Sequence, residues 1–518
     1  MIPPCPIDPP DPVPAPDGPV ESRRPPVHPL ESALVGVTAL HLCFLPWALG
    51  AMHPWSQLTS LGFAIVSFIL AALPRNNGAD FCDSPRTRHW PAKRLIRSPA
   101  FWAALVFLGY IAIQGMNPCW QFFRDENSWW LEPVDHLAWL PSGVAAPFDL
   151  TNPWRALVIF ASLTLLVSSV WVGFSRRKSY HTLFTLLAAN AGLLALFGLV
   201  QHLSGAKRIY WSYVASNDSF VASFIYPNHA GPYLYLMAAV AIALARWHHQ
   251  RARRRLENPG PASLFLFFAG CCSLLVIFSY SRMSIILLLT LTLLVAVTLV
   301  MKLLRRTGPA RDRAEFWPLA LTFSALLCIG LVTLRTERAR DRFAEMLTNS
   351  GEVRAHALAR QAATDMLRDH WLSGWGAGCF RYGFPKYTKK FPEIHLLDNG
   401  PRRIWEHAHD DLLEFPIEFG VVGLLPLVGL LGYGSWRLYR LRFWRNVVSL
   451  TLVLGCGLVL LHAWVDFVFQ NPAVLLTWSV LFAGAVRWTE LDQPRRRNSG
   501  SPECQSTPAV KREGPNPV

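Results

Sequence analysis

Residues 406–431 read EHAHDDLLEFPIEFGVVGLLPLVGLL. The second half is a run of hydrocarbon long enough to enter a bilayer, whereas the first half holds two histidines and five carboxylates. In water such a run is an ordinary solvated face. Beside hydrocarbon, ionisable groups are costly and generally have work to do. The reading of the whole chain therefore turns on its solvent. Of 518 residues, 52% are hydrophobic and only 16% charged, a balance that excludes an ordinary soluble domain. About twelve apolar runs have the roughly 20-residue length needed to cross ~30 Å of hydrocarbon as helices. They lie near 31–50, 56–73, 100–114, 154–174, 180–202, 224–245, 262–280, 282–301, 316–334, 411–434, 446–468 and 470–488. The expected fold is all-α and polytopic, with a membrane domain over 31–488 between a Pro-rich disordered cytoplasmic tail (1–30) and a second disordered cytoplasmic tail (489–518).

The net charge of +15 points to membrane orientation rather than to nucleic acid, because the cations sit in alternate loops. They cluster at 75–97, 176–178, 251–255, 302–306, 437–445 and 495–497, and cytoplasmic loops retain Lys and Arg. Segments 115–153, 203–223 and about 335–410, the last between the ninth and tenth helices, then face outward. The first of these, with its NPCWQFFRDENSWWLEPVDHLAWLP (117–141), has the Trp-rich composition of an interfacial belt; a sugar-stacking surface is the alternative. Ten cysteines are scattered without metal-ligand spacing, and only Cys119 and Cys379 are expected outside, where a bridge between them is open.

Three local signals carry chemistry. In SYSRMS (279–284), Arg282 opens a hydrocarbon helix; it either snorkels to headgroups or grips an anion, since guanidinium matches phosphate oxygens bidentately. Residues 353–369 have helical periodicity, with Arg354, His356, Arg360 and Arg368 interleaved with an apolar face that suits the membrane or the bundle, and Gly374, Gly376 and Gly378 then reverse the chain. In the opening stretch, Asp410, Asp411 and Glu414 have a plain structural role available, because acids at a helix N-terminus are favoured by its dipole. His409 has no such role and is the usual type of general base near neutral pH.

The ordered set SYSRMS, DHWLSGWGAGCF (369–380), HAHDDLLEFPIEFGVVGLL (407–425) and HAWVDFVFQNPA (462–473), with YPNHAGPYLYL (226–236) before it, resembles the O-antigen ligase and O-antigen polymerase (Wzy-type) superfamily over roughly residues 190–485. The resemblance implies a GT-C-like membrane glycosyltransferase of cell-envelope polysaccharide synthesis. It would move a glycan from undecaprenyl diphosphate to an acceptor hydroxyl at the outer face of the bacterial inner membrane, without a metal or other cofactor. On that basis Arg282 and Arg354 hold the diphosphate, His409 activates the acceptor, and Asn228, His229, Asp410, Glu414 and Asp466 are candidate substrate-binding residues. Arg360 and Arg368 are expected to matter less. The family more often has Asn where this chain has Asp410, and an acid there is expected to tune or orient His409.

Competing readings are weaker. DDLLE (410–414) fits a magnesium-dependent prenyltransferase pattern, but no second acidic motif stands on the same side. A zinc site at His407 and His409 lacks a third ligand. A transporter would place ionisable groups near the bilayer midplane, whereas these gather at one surface. Within the superfamily, ligase, repeat-unit polymerase and protein O-oligosaccharyltransferase differ by acceptor, and that choice stays open.

Overall fold

The computed structural model describes residues 27–76, 88–126, 128–215, 220–256, 258, 260–304, 350–394 and 405–492. Among them the chain is all-α, with fourteen helices and few strands. In order these are α1 (Pro29–Trp47), α2 (Pro54–Ala72), the short α3 (Pro91–Ile96), α4 (Pro99–Met116), α5 (Pro153–Gly173), α6 (Arg177–Leu203) and α7 (Pro227–Arg255). There follow α8 (Pro261–Phe278), α9 (Arg282–Leu304), α10 (Ser350–Asp369), α11 (Phe380–Thr388), α12 (Asp411–Arg440), α13 (Val447–His462) and α14 (Pro472–Asp492). Ten are long and apolar enough to cross a membrane, and α13 is a shorter apolar helix. The chain is a multi-pass membrane protein. Of the expected spans only 316–334 lies outside the described residues, as do most of both expected tails.

Proline marks many helix starts: α1–α5, α7, α8 and α14 all begin with it. A first-turn proline loses no intrahelical hydrogen bond and brings φ already set for the helix. The sequence of α7 is apolar and small on every side from Ala230 to Ala245, so it occupies the centre of the bundle, with 94% of its apolar window buried. A helix hydrophobic all round belongs there.

Two expected spans differ from the structure in ways that shape the site. The run 446–468 is helical only to His462; a loop then carries Trp464, Asp466 and Phe467 to the start of α14. The run from 411 is not one continuous rod. At Gly420 (φ 62°, ψ 179°) the backbone leaves helical geometry, dividing α12 into a half-helix and a longer segment. That conformation is essentially restricted to glycine. The freed groups are satisfied by a second backbone: Trp375 N and Gly376 N donate to Ile417 O (2.7 Å) and Glu418 O (3.0 Å), while Val421 N and Val422 N donate to Trp371 O (2.9 Å) and Leu372 O (3.2 Å). From α4, Gln114 Nε2 adds a bond to Glu418 O (3.0 Å), and its Oε1 accepts from Ala377 N (3.0 Å).

The Trp-rich loop after α4, read from sequence only as a surface composition, folds as a small sheet in the order β4-β3-β5, with β3 at Pro118–Arg124, β4 at Trp129–Pro133 and β5 at Gly143–Ala145; β1 (Arg75–Asn76) and β2 (Arg88–His89) pair separately. Phe122 and Val144 of the three-stranded sheet pack on Cys379 and Tyr382 at the start of α11. Cys119 and Cys379 are both free thiols. Cys379 Sγ instead accepts from Val144 N at 3.3 Å.

Gly420→Ala should therefore lower the thermal unfolding midpoint of the purified protein, because a Cβ there would lie 2.3 Å from Leu372 O and the backbone conformation costs about 1–3 kcal/mol for other residues. Gly429→Ala, in the same helix with open space around it, should leave the midpoint unchanged. Equal behaviour of the two variants would show that the break is not held as described.

Candidate active site

Loops at one end of the bundle enclose a cleft of about 830 Å³. Five segments supply its polar lining: Asn228 at the start of α7, Tyr280 to Arg282 at the start of α9, His356 and Arg360 on α10, His409 and Asp410 before α12, and Asp466 in the loop after α13. The close approach of α7 and α9 that brings Asn228 and Arg282 to one wall depends on Gly231. A Cβ at that position would meet Ser284 Oγ at 1.9 Å.

His409 is the residue most constrained by its surroundings. Its backbone is left-handed (φ 52°). The ring is wedged edge-on against Phe467 (4.7 Å), His356 (5.2 Å) and Trp405 (5.3 Å). Nδ1 lies 3.4 Å from Asp466 Oδ1, the histidine being partly exposed and the aspartate buried. A carboxylate can only accept, so Asp466 holds the proton on Nδ1 and leaves Nε2 as the basic nitrogen. Burial pushes the Asp466 carboxyl upward, but the hydrogen bond and charge of His409, with His462 and His229 beyond, hold it below its ordinary value.

The other acids of the opening stretch each have a separate partner. Asp410, buried, is ion-paired with Arg360. Asp411 Oδ2 accepts from Phe469 N at 2.8 Å, and its own N–H donates to Ala463 O at 2.8 Å, so the start of α12 is fastened to the loop that carries Asp466. Glu414, wholly buried, takes His407 Nδ1 at 2.7 Å on one oxygen and Ala408 N at 2.7 Å on the other. Phe467 is the shared platform beneath these groups, stacked on His407 at 4.6 Å and on Tyr226 at 5.3 Å.

Several expected site residues stand elsewhere. Arg354 does not line the cleft; it is exposed and pairs with Glu393 at 3.0 Å. Six residues on, a different face of α10 is presented, and Arg360 is the arginine that reaches the cleft. Glu414 and His229 also lie behind the lining: Glu414 clamps 407–408, and His229 Nε2 meets Phe467 O at 3.1 Å. The acid that orients His409 is Asp466, while the neighbouring Asp410 positions Arg360. Sequence spacing grouped Arg360 with Arg354 without preferring it, and did not single out Phe467, which lies within the quoted HAWVDFVFQNPA. The apolar face of α10 packs not on the membrane but on Trp375, Phe380 and Ile417. Among the described residues no group of three or more His, Cys, Asp or Glu converges in a way that could hold a metal ion.

The His407–Glu414 pair makes stability depend on pH. Burial alone would lower the His407 pKa, but the Glu414 carboxylate at hydrogen-bond distance outweighs it, and the value is raised. A raised histidine stabilises fully below its unfolded pKa of about 6.5 and loses that contribution as pH climbs through the folded value. The unfolding midpoint of the wild type should thus fall on the alkaline side of neutrality relative to that of Glu414→Gln, and parallel pH profiles would refute the pairing.

No curated protein matches the sequence. The family model described as O-Antigen ligase (Wzy_C) matches residues 264–428, from α8 through the break in α12. It takes in Arg282, Arg360, His409 and Asp410, and leaves Asn228 and Asp466 to the flanking chain. Residues 264–428 thus match an O-antigen ligase family model, and that match supports a place for the chain in the O-antigen ligase and Wzy-type superfamily, as a ligase-like glycosyltransferase of envelope polysaccharide synthesis.

Proposed function

We propose that the cleft transfers a glycan from a polyprenyl diphosphate, undecaprenyl diphosphate in the bacterial inner membrane, to an acceptor hydroxyl on the periplasmic side. The observation that carries this reading is the meeting of two arginines with a carboxylate-backed histidine at one end of an apolar bundle. His409 Nε2 takes the proton of the acceptor hydroxyl as its oxygen bonds to the anomeric carbon. The bond from that carbon to the diphosphate oxygen breaks, and its electron pair leaves with the diphosphate. Charge grows on the leaving group as the bond breaks, and fixed cations that meet it stabilise that moment most. Arg282 and Arg360 occupy those positions, and the N-terminus of α9 adds its partial positive charge.

Arg360 replaces Arg354 in this proposal because it lines the cleft and is aimed by Asp410. Asn228 is left as a contact for the sugar or the diphosphate. The magnesium reading of DDLLE loses support, since Asp410, Asp411 and Glu414 are spread over Arg360, Phe469 N and His407 rather than converging. The alternating cationic loops support the outward orientation of the cleft.

A transfer assay with purified protein, a polyprenyl-diphosphate oligosaccharide and candidate acceptors tests the assignment. His409→Ala should lose about 100-fold or more in turnover, the usual scale for a positioned base. Arg360→Lys should lose activity because the planar fork is gone, Arg354→Lys should stay near wild type, and chelator should have no effect. Full activity in folded His409→Ala, or loss with chelator restored by magnesium, would overturn the mechanism. The acceptor that is modified decides between ligase, repeat-unit polymerase and protein O-oligosaccharyltransferase.

A further inference from the structure

A second cavity, of about 510 Å³, lies between α4, α5, α12 and α14 and is walled almost entirely by apolar side chains. It follows α5 from Phe160 to Trp171 and α14 from Leu475 to Val486, about 17 Å at the helical rise of ~1.5 Å per residue. That is about half of a roughly 30 Å hydrocarbon core, and Asp411, Leu412 and Phe469 extend the lining toward the cleft. One of its wall residues, Val428, is 62% exposed, so the cavity opens on the outside of the bundle.

Just beyond the end remote from the cleft, arginines flank the cavity without lining it. Trp171 and Tyr433 line the cavity, and Arg437 lies over both rings, at 5.9 and 5.6 Å, with Arg487 over Trp171 at 5.6 Å. These two guanidiniums share one carboxylate, Glu490. Arg94, exposed on α3 next to the lining residue Leu95, is a third cation, near enough to Arg487, Glu490 and Arg437 to feel their charges. One carboxylate thus answers three guanidiniums. Arg487 is 3% exposed, and its Nε has no hydrogen-bond partner among the described residues. Arg437 is partly exposed and Arg94 exposed, so this excess of positive charge stands at the edge of the hydrocarbon, where an anionic headgroup can reach it.

We propose that this cavity binds one anionic phospholipid of the leaflet opposite the catalytic cleft, its phosphate among Arg94, Arg437 and Arg487 and one acyl chain along α5 and α14. The charge selects an anion, and the long apolar trough selects a chain attached to it. The site requires no assumption about which glycan or acceptor the cleft uses.

The test is lipid retention by the full-length protein, delipidated, reconstituted with phosphatidylglycerol or phosphatidylcholine, and read by native mass spectrometry. One phosphatidylglycerol per chain should be retained and phosphatidylcholine lost. Retention should drop at least tenfold in the Arg94→Gln/Arg437→Gln double variant and in Ser479→Trp, which fills the trough. It should be unchanged in Arg440→Gln, an exposed cation at the same end stacked on Trp436. Equal retention of both lipids, or undiminished retention in either the double or the trough variant, overturns the site. Displacement by millimolar glycerol phosphate would reveal a free-phosphate site and equally overturn the lipid assignment. Ser479→Trp leaves every cation in place, so it keeps the test decisive even if the double variant does not fold.

Discussion

A helix broken inside an apolar environment strands carbonyl and amide groups at several kcal/mol each, and the break in α12 exists because another stretch of backbone closes it. Residues 371–376 lie against Ile417 to Val422 closely enough that Gly374 and Gly420 each face the opposing main chain where a Cβ would come within 2.3 Å of a carbonyl oxygen. Two glycines and one buried glutamine from α4 thus fix the relation of the 371–380 turn to the half-helix Asp411–Phe419. Much else follows from this constraint. The turn fixes where α10 ends and α11 begins, α10 then overlies the 405–410 segment, and Arg360 comes to rest on Asp410.

Electrostatics completes what the backbone begins. Five of the buried acids at this end of the bundle are each committed: Asp410 to Arg360, Asp411 to Phe469 N, Glu414 to His407 and Ala408 N, Glu418 to Phe380 N, and Asp466 to His409. Each fastens one loop to another. The positive groups left facing the cleft are therefore presented by a rigid frame, as electrostatic stabilisation of a departing anion requires. Phe467 serves the same end without charge, packing His407 and Tyr226 face to face and His409 on its edge.

The membrane fold was legible because hydrocarbon leaves a simple record: apolar length and alternate cationic loops follow from bilayer thickness and insertion alone. His409, which lines the cleft, stood out in the sequence as well, since it has no capping role there. What the sequence concealed depended on tertiary geometry. Arg354 and Arg360 are equivalent as residue types on one amphipathic helix, and only the packing of Ala362 and Met366 against Phe380 and Trp375 decides which face meets the cleft. Asp466 read as part of a helix because its neighbours are apolar; the helix stops at His462 instead, and the freed loop brings the carboxylate under the imidazole. The break at Gly420 was hidden inside a run whose composition suits an unbroken helix.

The central claim divides the labour: arginines hold the diphosphate and His409 performs the proton transfer. Affinity for the released product, a polyprenyl diphosphate, measures one half of that division without any acceptor or turnover. The account predicts that the Arg282→Gln/Arg360→Gln double variant weakens product binding at least tenfold, about 1.4 kcal/mol or more, while His409→Ala binds it as the wild type does. Wild-type affinity in the arginine double variant, with affinity lost instead in His409→Ala, would contradict it.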